Sequence, residues 1–276
     1  MKTLVTDTTK EVVRAFWNEA ACGEKLYLGR TNSGAYDEQA KERYRLEPFI
    51  VDFADFAAWQ GKRVLEIGVG LGADHERFAR AGAQLWGIDL TGRAIAHTAG
   101  RLGARRLHST LMVADAENLP FPDGSFDLVY SWGVIHHSPN TAVAAREILR
   151  VLKDGGAFRV MIYHKWSLVG LMLWLRYGLV RLRPWTSLDK IYAHYLESPD
   201  TKAFSRAEAA RLFSGAADIK IRIELSEGDL LMSGSGQRHG GLVLSLARKL
   251  WPRAVIRATM SECGLFLLLS GRKETV

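Results

Sequence analysis

Cysteine is almost missing from this chain. Its 276 residues include two, Cys22 and Cys263. A secreted domain stapled by disulfides carries more, so a reducing cytosol is the expected setting. Two cysteines so far apart cannot make a CxxC zinc site, and His194 and His239 have no metal-ligand spacing, so no metal is expected. Charged and polar residues follow Met1-Lys2-Thr3-Leu4, where a signal peptide would have an apolar core. There is no internal repeat, no low-complexity tract, no serine-nucleophile motif and no phosphate-binding Lys-Ser/Thr loop. A membrane-spanning run is missing too. The strongest apolar stretch, residues 166–183 (WSLVGLMLWLRYGLVRLR), is at the short limit for a span and carries Arg176, Arg181 and Arg183. A charge near mid-helix costs several kcal/mol in hydrocarbon. The stretch is therefore expected to be an interfacial or lid helix.

Hydrophobic residues make up 47% of the chain and charged residues 24%, which places it among globular proteins. Two segments carry more than the whole net charge of +7. Residues 165–190 hold Lys165, Arg176, Arg181, Arg183 and Lys190 against Asp189, and residues 238–257 hold five cations and no acid. The remainder is slightly acidic. That pattern suggests a local anionic surface or ligand and speaks against a nucleic-acid footprint over the whole protein. The expected partners are a small-molecule substrate and, weakly, an anionic membrane met through 166–183 and 241–257. The expected location is cytoplasmic, with the membrane periphery as a variant of it. The oligomeric state is not legible.

Periodicity divides the chain. Residues 8–22 and 37–59 have helical spacing. From residue 63 short apolar runs alternate with helical stretches. Strands are expected at RVLEIGVG, QLWGIDL, LMVADA, LVYSWGVIHH and AFRVMIYH, with helices at 73–81, 91–103 and 141–153, the last stopped by Asp154-Gly155-Gly156. Such alternation predicts an α/β, doubly wound parallel sheet covered on both faces. Beyond residue 165 the alternation breaks. Ser205 and Glu208 form a capping-box pattern for a helix at 205–214. IKIRIEL reads as a strand with its isoleucines on one face, 241–257 as a basic amphipathic helix interrupted near Pro252, and GLFLLLSGRK as a last strand.

The chemistry is concentrated in Glu66-Ile67-Gly68-Val69-Gly70-Leu71-Gly72. Glycines between a strand and a helix let backbone approach a ligand, and the helix start offers unpaired N–H groups. Asp89 ends the next strand, where a carboxylate can hold ribose hydroxyls. This loop alone also satisfies the dinucleotide fingerprint through Ala73, so NAD(H) stays open. Three further features are Glu66, two residues before the first glycine; Asp115-Ala116, at the end of the third strand; and FPDGSFDLVYSWGVIHH, leading into the fourth.

Together these runs resemble the class I S-adenosylmethionine (SAM)-dependent methyltransferases, particularly their quinone and small-molecule branch. The matching runs are VLEIGVGLGADHERFARAGAQLWGIDLT, ADAENLPFPDGSFDLVYSWGVIHHSP and EILRVLKDGGAFRVMIYH, over about residues 62–164. The resemblance implies a seven-stranded sheet of order 3-2-1-4-5-7-6 with strand 7 antiparallel, a reversal that a NAD-binding sheet lacks. It implies that Gly68, Gly70 and Gly72 cradle the methionine part of SAM and that Asp89 holds the ribose. Leu90 would lie against the adenine, Asp115 and Ala116 at its edge, and Ser131 and Trp132 would close the site. FWNEAACG and the tyrosine-rich stretch reaching RYRLEPFI resemble the N-terminal cap of some bacterial methyltransferases. One domain is expected: a helical cap over 1–60, a SAM-binding core over 61–164, an insertion or lid over 165–217, and C-terminal strands with an inserted basic helix over 218–276.

Methyl transfer displaces a neutral thioether, so no acid is needed, and alignment supplies much of the rate. A base is needed only where the acceptor must lose a proton. The candidates are His136, His137 and Tyr163, with His164 beside them; Tyr192, His194 and Tyr195 could meet substrate. The expected activity is methyl transfer to a small, lipophilic or anionic acceptor. The alternatives are a SAM- or nucleoside-binding protein without methyl transfer, and a NAD-dependent oxidoreductase.

Overall fold

The computed structural model describes residues 2–21, 23–24, 33–232 and 248–275. Two cap helices come first, α1 (Lys2–Glu19) and α2 (Ser33–Leu46), followed by the short α3 (Phe49–Ala54). The core then alternates: β1 (Arg63–Ile67), α4 (Ala73–Arg80), β2 (Gln84–Asp89), α5 (Gly92–Gly103), β3 (Thr110–Val113), β4 (Phe126–Trp132), α6 (Thr141–Val151) and β5 (Leu152–Tyr163). Three helices intervene, α7 (Leu168–Trp174), α8 (Leu188–Tyr195) and α9 (Arg206–Leu212). β6 (Ala216–Glu224), α10 (Arg253–Thr259) and β7 (Phe266–Lys273) complete the described elements. The sheet has the order β3-β2-β1-β4-β5-β7-β6, with β7 antiparallel to both neighbours. The expected fold class and the reversed strand are both present.

Side-chain alternation assigns the two faces. Along β4, Val129 points into a cluster with Phe158, Ile148 and Phe213, under α6 and α9. Its neighbours Leu128 and Tyr130 point the other way, into a cluster with Phe78 and the cap residues Ile50, Phe53 and Phe56. Both faces are covered, which is why these strands read as continuous apolar runs. The isoleucines of β6 share a face as expected: Ile223 is buried in the first cluster, with Ile219 and Ile221 packed on it.

Several boundaries differ from the sequence expectations. The helix expected over 37–59 is broken. Pro48 lacks an N–H and its ring obstructs the preceding turn, and Asp55 takes a left-handed conformation (φ 47°) before a short 3₁₀ turn, Phe56–Trp59. α1 ends at Glu19, before Cys22, which lies outside the described residues. β3 ends at Val113, so Asp115 sits beyond it, in an isolated bridge with Asn118. β4 ends at Trp132, and His136-His137 lie in a separate 3₁₀ turn. α6 stops at Val151, and Asp154-Gly155-Gly156 belongs to β5. A Cβ on Gly156 would meet the Lys153 carbonyl oxygen at 2.7 Å and that of Phe126 at 3.1 Å, so the glycine serves the close approach where the β4–β5 register shifts. The apolar stretch 166–183 forms only α7 and a π-helical turn, Leu175–Leu179. Of the helix expected over 241–257, residues 241–247 lie outside the described set; residues 248–250 are helical, the helix breaks at Trp251-Pro252 as expected, and α10 follows. The Ser205–Glu208 capping box is present.

The two cap helices attach by different means. On α5, Arg101 is 1% exposed and binds Glu76 (2.6 Å), the Gln39 side chain (2.8 Å) and the carbonyls of Tyr36 (3.0 Å) and Leu71 (3.1 Å). Asp74, also buried, accepts from Arg43 (2.7 Å) and Tyr44 (2.8 Å) on α2 and from Tyr130 (2.8 Å) on β4. α1 instead reaches the core through Lys10, which pairs with Asp115 (2.6 Å) and Glu117 (2.9 Å) at the partly exposed rim of the cleft.

Candidate active site

A cleft of about 250 Å³ lies at the C-terminal edge of the parallel strands, between the glycine loop and the cap. Open α/β sheets bind ligands at this edge. Gly68, Gly70 and Gly72 all have positive φ (82°, 51° and 74°). A Cβ on Gly68 would lie 2.0 Å from Val134 Cγ2, so no other residue fits there without displacement. At Gly70 a Cβ would meet nothing within 4 Å, because that position faces the open cleft. Its glycine is required by φ and by whatever the cleft admits.

Asp89 is held rigidly at the end of β2. One carboxylate oxygen accepts from the Thr91 N–H and hydroxyl (both 2.9 Å), and the other from Gly70 N–H at 3.3 Å. Burial raises its pKa above the ordinary value, although these donors work against the shift. Leu90, Asp115 and Ala116 complete this end. Asp115 also accepts from Glu117 N–H and pairs with Lys10, which itself lines the cleft.

Glu66 borders the cleft from below and anchors a directional chain. The Ser109 hydroxyl donates to the Leu85 carbonyl (2.9 Å), so it can only accept from His75 Nε2–H (2.8 Å). Neutral His75 must then accept at Nδ1, 2.8 Å from Glu66, and the proton there belongs to the carboxyl group. Burial acts in the same sense on both partners. It raises Glu66 well above the carboxylate range, with Asp74 adding to the shift, and lowers His75 to about 3. Burial opposes the charge of Asp74 as well, but Arg43, Tyr44 and Tyr130 outweigh it and hold that pKa below its usual value.

The other end of the cleft is walled by Trp132, Met161, Tyr163 and Phe266, which lie on one face of β4, β5 and β7. Here the Tyr163 hydroxyl donates to Glu197 Oε2 (2.6 Å), and the same oxygen lies 3.4 Å from His137 Nε2. Ser198 Oγ (2.8 Å) and Thr201 Oγ1 (3.2 Å) fix His137 Nδ1, and Trp17 of α1 packs edge-on to its ring. Glu47 borders the same space, its pKa pushed up to about 7 chiefly by burial.

Two expected site residues are elsewhere. Ser131 is fully buried and does not line the cleft: it points with Val129 toward the α6 face, one residue out of phase with Trp132. His136 is also fully buried and outside the cleft wall, its ring packed between His137 and Tyr163 at 4.1 Å from each. Neither of its nitrogens has a partner among the described residues, and burial keeps it neutral far below its usual pKa. Of the three residues expected as bases, His137 and Tyr163 line the cleft. His164 donates to the Gly264 carbonyl, Tyr192 donates to the Lys165 carbonyl, and His194 is bonded to its own helix. Tyr195 stacks on Tyr177 at 3.8 Å. His136, His137 and Glu197 bring ligand atoms within 4.8 Å of one another; hydrogen bonds from Tyr163, Ser198 and Thr201 engage Glu197 and His137.

Glu197, Glu47, Arg43 and Lys10 line the cleft without having been singled out in the sequence. Arg43 and Lys10 sit on helices whose pattern shows only a packing face. Glu197 follows α8 in an insertion without a motif, and nothing in its spacing from Tyr163 signals their contact.

Residues 65–160 match the family described as "Methyltransferase domain". A demethylmenaquinone methyltransferase of Tropheryma whipplei is 33% identical over 172 residues, 57% of this chain and 70% of the relative. The 2-methyl-6-phytyl-1,4-hydroquinone methyltransferase of Synechocystis is 36% identical over 111 residues, 39% of this chain. The match spans about a third (33%) of that relative's length. The solved geranyl diphosphate C-methyltransferase of Streptomyces coelicolor shares the fold, with a TM-score of 0.63 at 17% identity over 96% of this chain and 98% of that one. With the glycine loop, the acid-lined cleft and the reversed β7 in place, the chain belongs to the class I SAM-dependent methyltransferases.

Proposed function

We propose that the protein transfers the methyl group of SAM to a small lipophilic acceptor and that His137, paired with Glu197, takes the proton the acceptor loses. The observation that carries this reading is the acceptor end of the cleft. Apolar walls from Trp132, Met161 and Phe266 lead to the Tyr163–Glu197–His137 network.

In this reading the loop Gly68–Gly72 cradles the methionine part of SAM, Asp89 binds the ribose and Asp115-Ala116 meet the adenine edge. SAM carries a sulfonium cation. Asp74, Asp89, Asp115 and Glu197 line the cleft against Lys10 and Arg43, with Glu66 neutral and Glu47 titrating at about 7, a balance that suits a cation and disfavours an anionic acceptor. Bound SAM would supply the methyl group, an electron pair of the acceptor forming the new bond as the pair of the broken carbon–sulfur bond stays on the thioether. His137 removes the acceptor proton, and Glu197 stabilises the imidazolium that results. The two relatives named above, for a phytyl hydroquinone and for demethylmenaquinone, support an acceptor of the quinol class.

The test is a product assay with methyl-labelled SAM and a panel of lipophilic quinols, short acids and amines. S-adenosylhomocysteine should form with the quinols. His137→Gln and Glu197→Gln should lower turnover by about 10²-fold or more while SAM still binds. Full turnover in both variants would remove the base; binding of SAM without turnover of any acceptor would favour a binding protein of the same fold.

A further inference from the structure

Large apolar side chains exposed to water are not spread evenly over this molecule. Among the described residues nine of the twelve fall in two stretches, Trp166 to Trp185 and Leu250 to Val255; the other three, Val12, Val51 and Val113, are scattered. Isolated exposed apolar residues need no explanation, but a concentration of them does. The most prominent are Val180 (76% exposed), Leu182 (81%) and Trp185 (79%).

The two stretches belong to one surface. Leu168 of α7 and Ile256 of α10 share a small buried cluster with Trp251, Met260 and Cys263. Beside it opens an apolar groove of about 360 Å³ bordered by Trp166, Leu171, Trp174 and Leu188. Cations are interleaved with these side chains. Arg176, Arg181, Arg183 and Lys190 make no ion pair among the described residues, whereas Lys165 at the edge is held by Asp189 and Glu208. Arg181 lies over the Tyr177 ring, 4.9 Å from its centroid. The surface also adjoins the cleft: Tyr177 stacks on Tyr195 of α8, and that helix leads into Glu197.

We propose that this face docks the protein on an anionic lipid surface, from which the acceptor enters the cleft. The inference rests on the lipophilic acceptor proposed above. Apolar tips can enter the acyl boundary while arginines remain among phosphate headgroups. The alternative occupant, a second copy in twofold contact, would set the same unpaired arginines against each other. No helix among the described residues is long and apolar enough to cross a membrane, so the contact is interfacial.

The experiment uses the full chain and vesicles of phosphatidylcholine, alone or with about a third phosphatidylglycerol. Co-sedimentation with the anionic vesicles is expected at low salt, with at least a tenfold loss at about 0.5 M NaCl. Brominated lipid should quench Trp185 fluorescence, with Trp185→Phe as the control. The triple variant Val180→Ser/Leu182→Ser/Trp185→Ser and the pair Arg176→Gln/Arg183→Gln should each lower binding about tenfold while SAM affinity holds. Absence of binding at low salt, or binding that both variants leave intact, overturns the proposal. So does a dimer that the triple variant dissociates. Turnover of a short-chain, water-soluble quinol separates the two readings. If it persists without vesicle binding, the face alone is wrong; if vesicles bind and no quinol turns over, the acceptor reading alone is wrong.

Discussion

The two helices of the N-terminal cap border the same cleft, yet they are built into the protein differently. α2 is fastened from inside: Arg101 holds Gln39 and the Tyr36 carbonyl, and Asp74 holds Arg43 and Tyr44, with both anchors almost wholly buried. α1 is fastened from outside, by Lys10 on Asp115 and Glu117, although Val13 and Trp17 still line the cleft. Surface ion pairs contribute up to about 1 kcal/mol, whereas breaking a buried one costs about 3–5 kcal/mol because its partner is left uncompensated. The cap is therefore attached in two ways, with α2 as a wall and α1 as a door.

The largest test of that contrast is Arg101→Met. It leaves Gln39 and two carbonyls without a donor, and the protein should lose about 3–5 kcal/mol in chemical denaturation. A loss below about 1 kcal/mol would place α2 in the same class as α1. Asp74→Asn should cost about 2–4 kcal/mol, since Arg43 then faces a neutral acceptor. The same residue gives α2 an acid dependence. Its folded pKa is depressed, so its contribution is present above the unfolded value of 3.8 and is lost as pH falls below it; Asp74→Asn should flatten that part of the stability curve.

Lys10→Met should change stability by less than about 1 kcal/mol. Hydrogen exchange in residues 2–21 should slow when SAM is added, while 33–46 should already be protected without it. Equal slowing in both would mean that the whole cap closes as one lid. The smallest effect is a control on the pH argument. Glu66 is raised, not depressed, so its contribution is present below the unfolded value of 4.5 and fades as pH rises toward its folded pKa. Glu66→Gln can donate to His75 as the protonated acid does. At pH 8 it should melt no lower than the parent, and the acid-side loss due to Asp74 should persist. A marked destabilisation would mean that Glu66 is charged.

The contrast between wall and door was not legible in the sequence. α5 reads there as a helix rich in alanine and arginine, and nothing marks Arg101 as the arginine that docking buries. Pro48 is visible, but the apolar spacing on either side continues the helical period across it. The sheet was legible because its period is local: apolar runs ending in Gly68 and Asp89 fix strand ends whatever packs on them, whereas the run LVYSWGVIHH continues past the end of β4 at Trp132. Even there, Ser131 and Trp132 could not be sorted without knowing which face of β4 meets α6. Glu197 is the clearest case of information that exists only in three dimensions. The insertion that carries it has no motif, and its contact with Tyr163 follows from how α7 and α8 pack.

The buried fastening of α2 also sets an order of events during synthesis. Arg43 and Tyr44 leave the ribosome before Asp74, Gln39 before Arg101, and Ile50, Phe53 and Phe56 well before Leu128 and Tyr130, which complete their cluster. The segment made early is thus secured late. Until β4 has been translated and paired, the cap carries an apolar face without a dock, on a stretch whose acids slightly outnumber its cations.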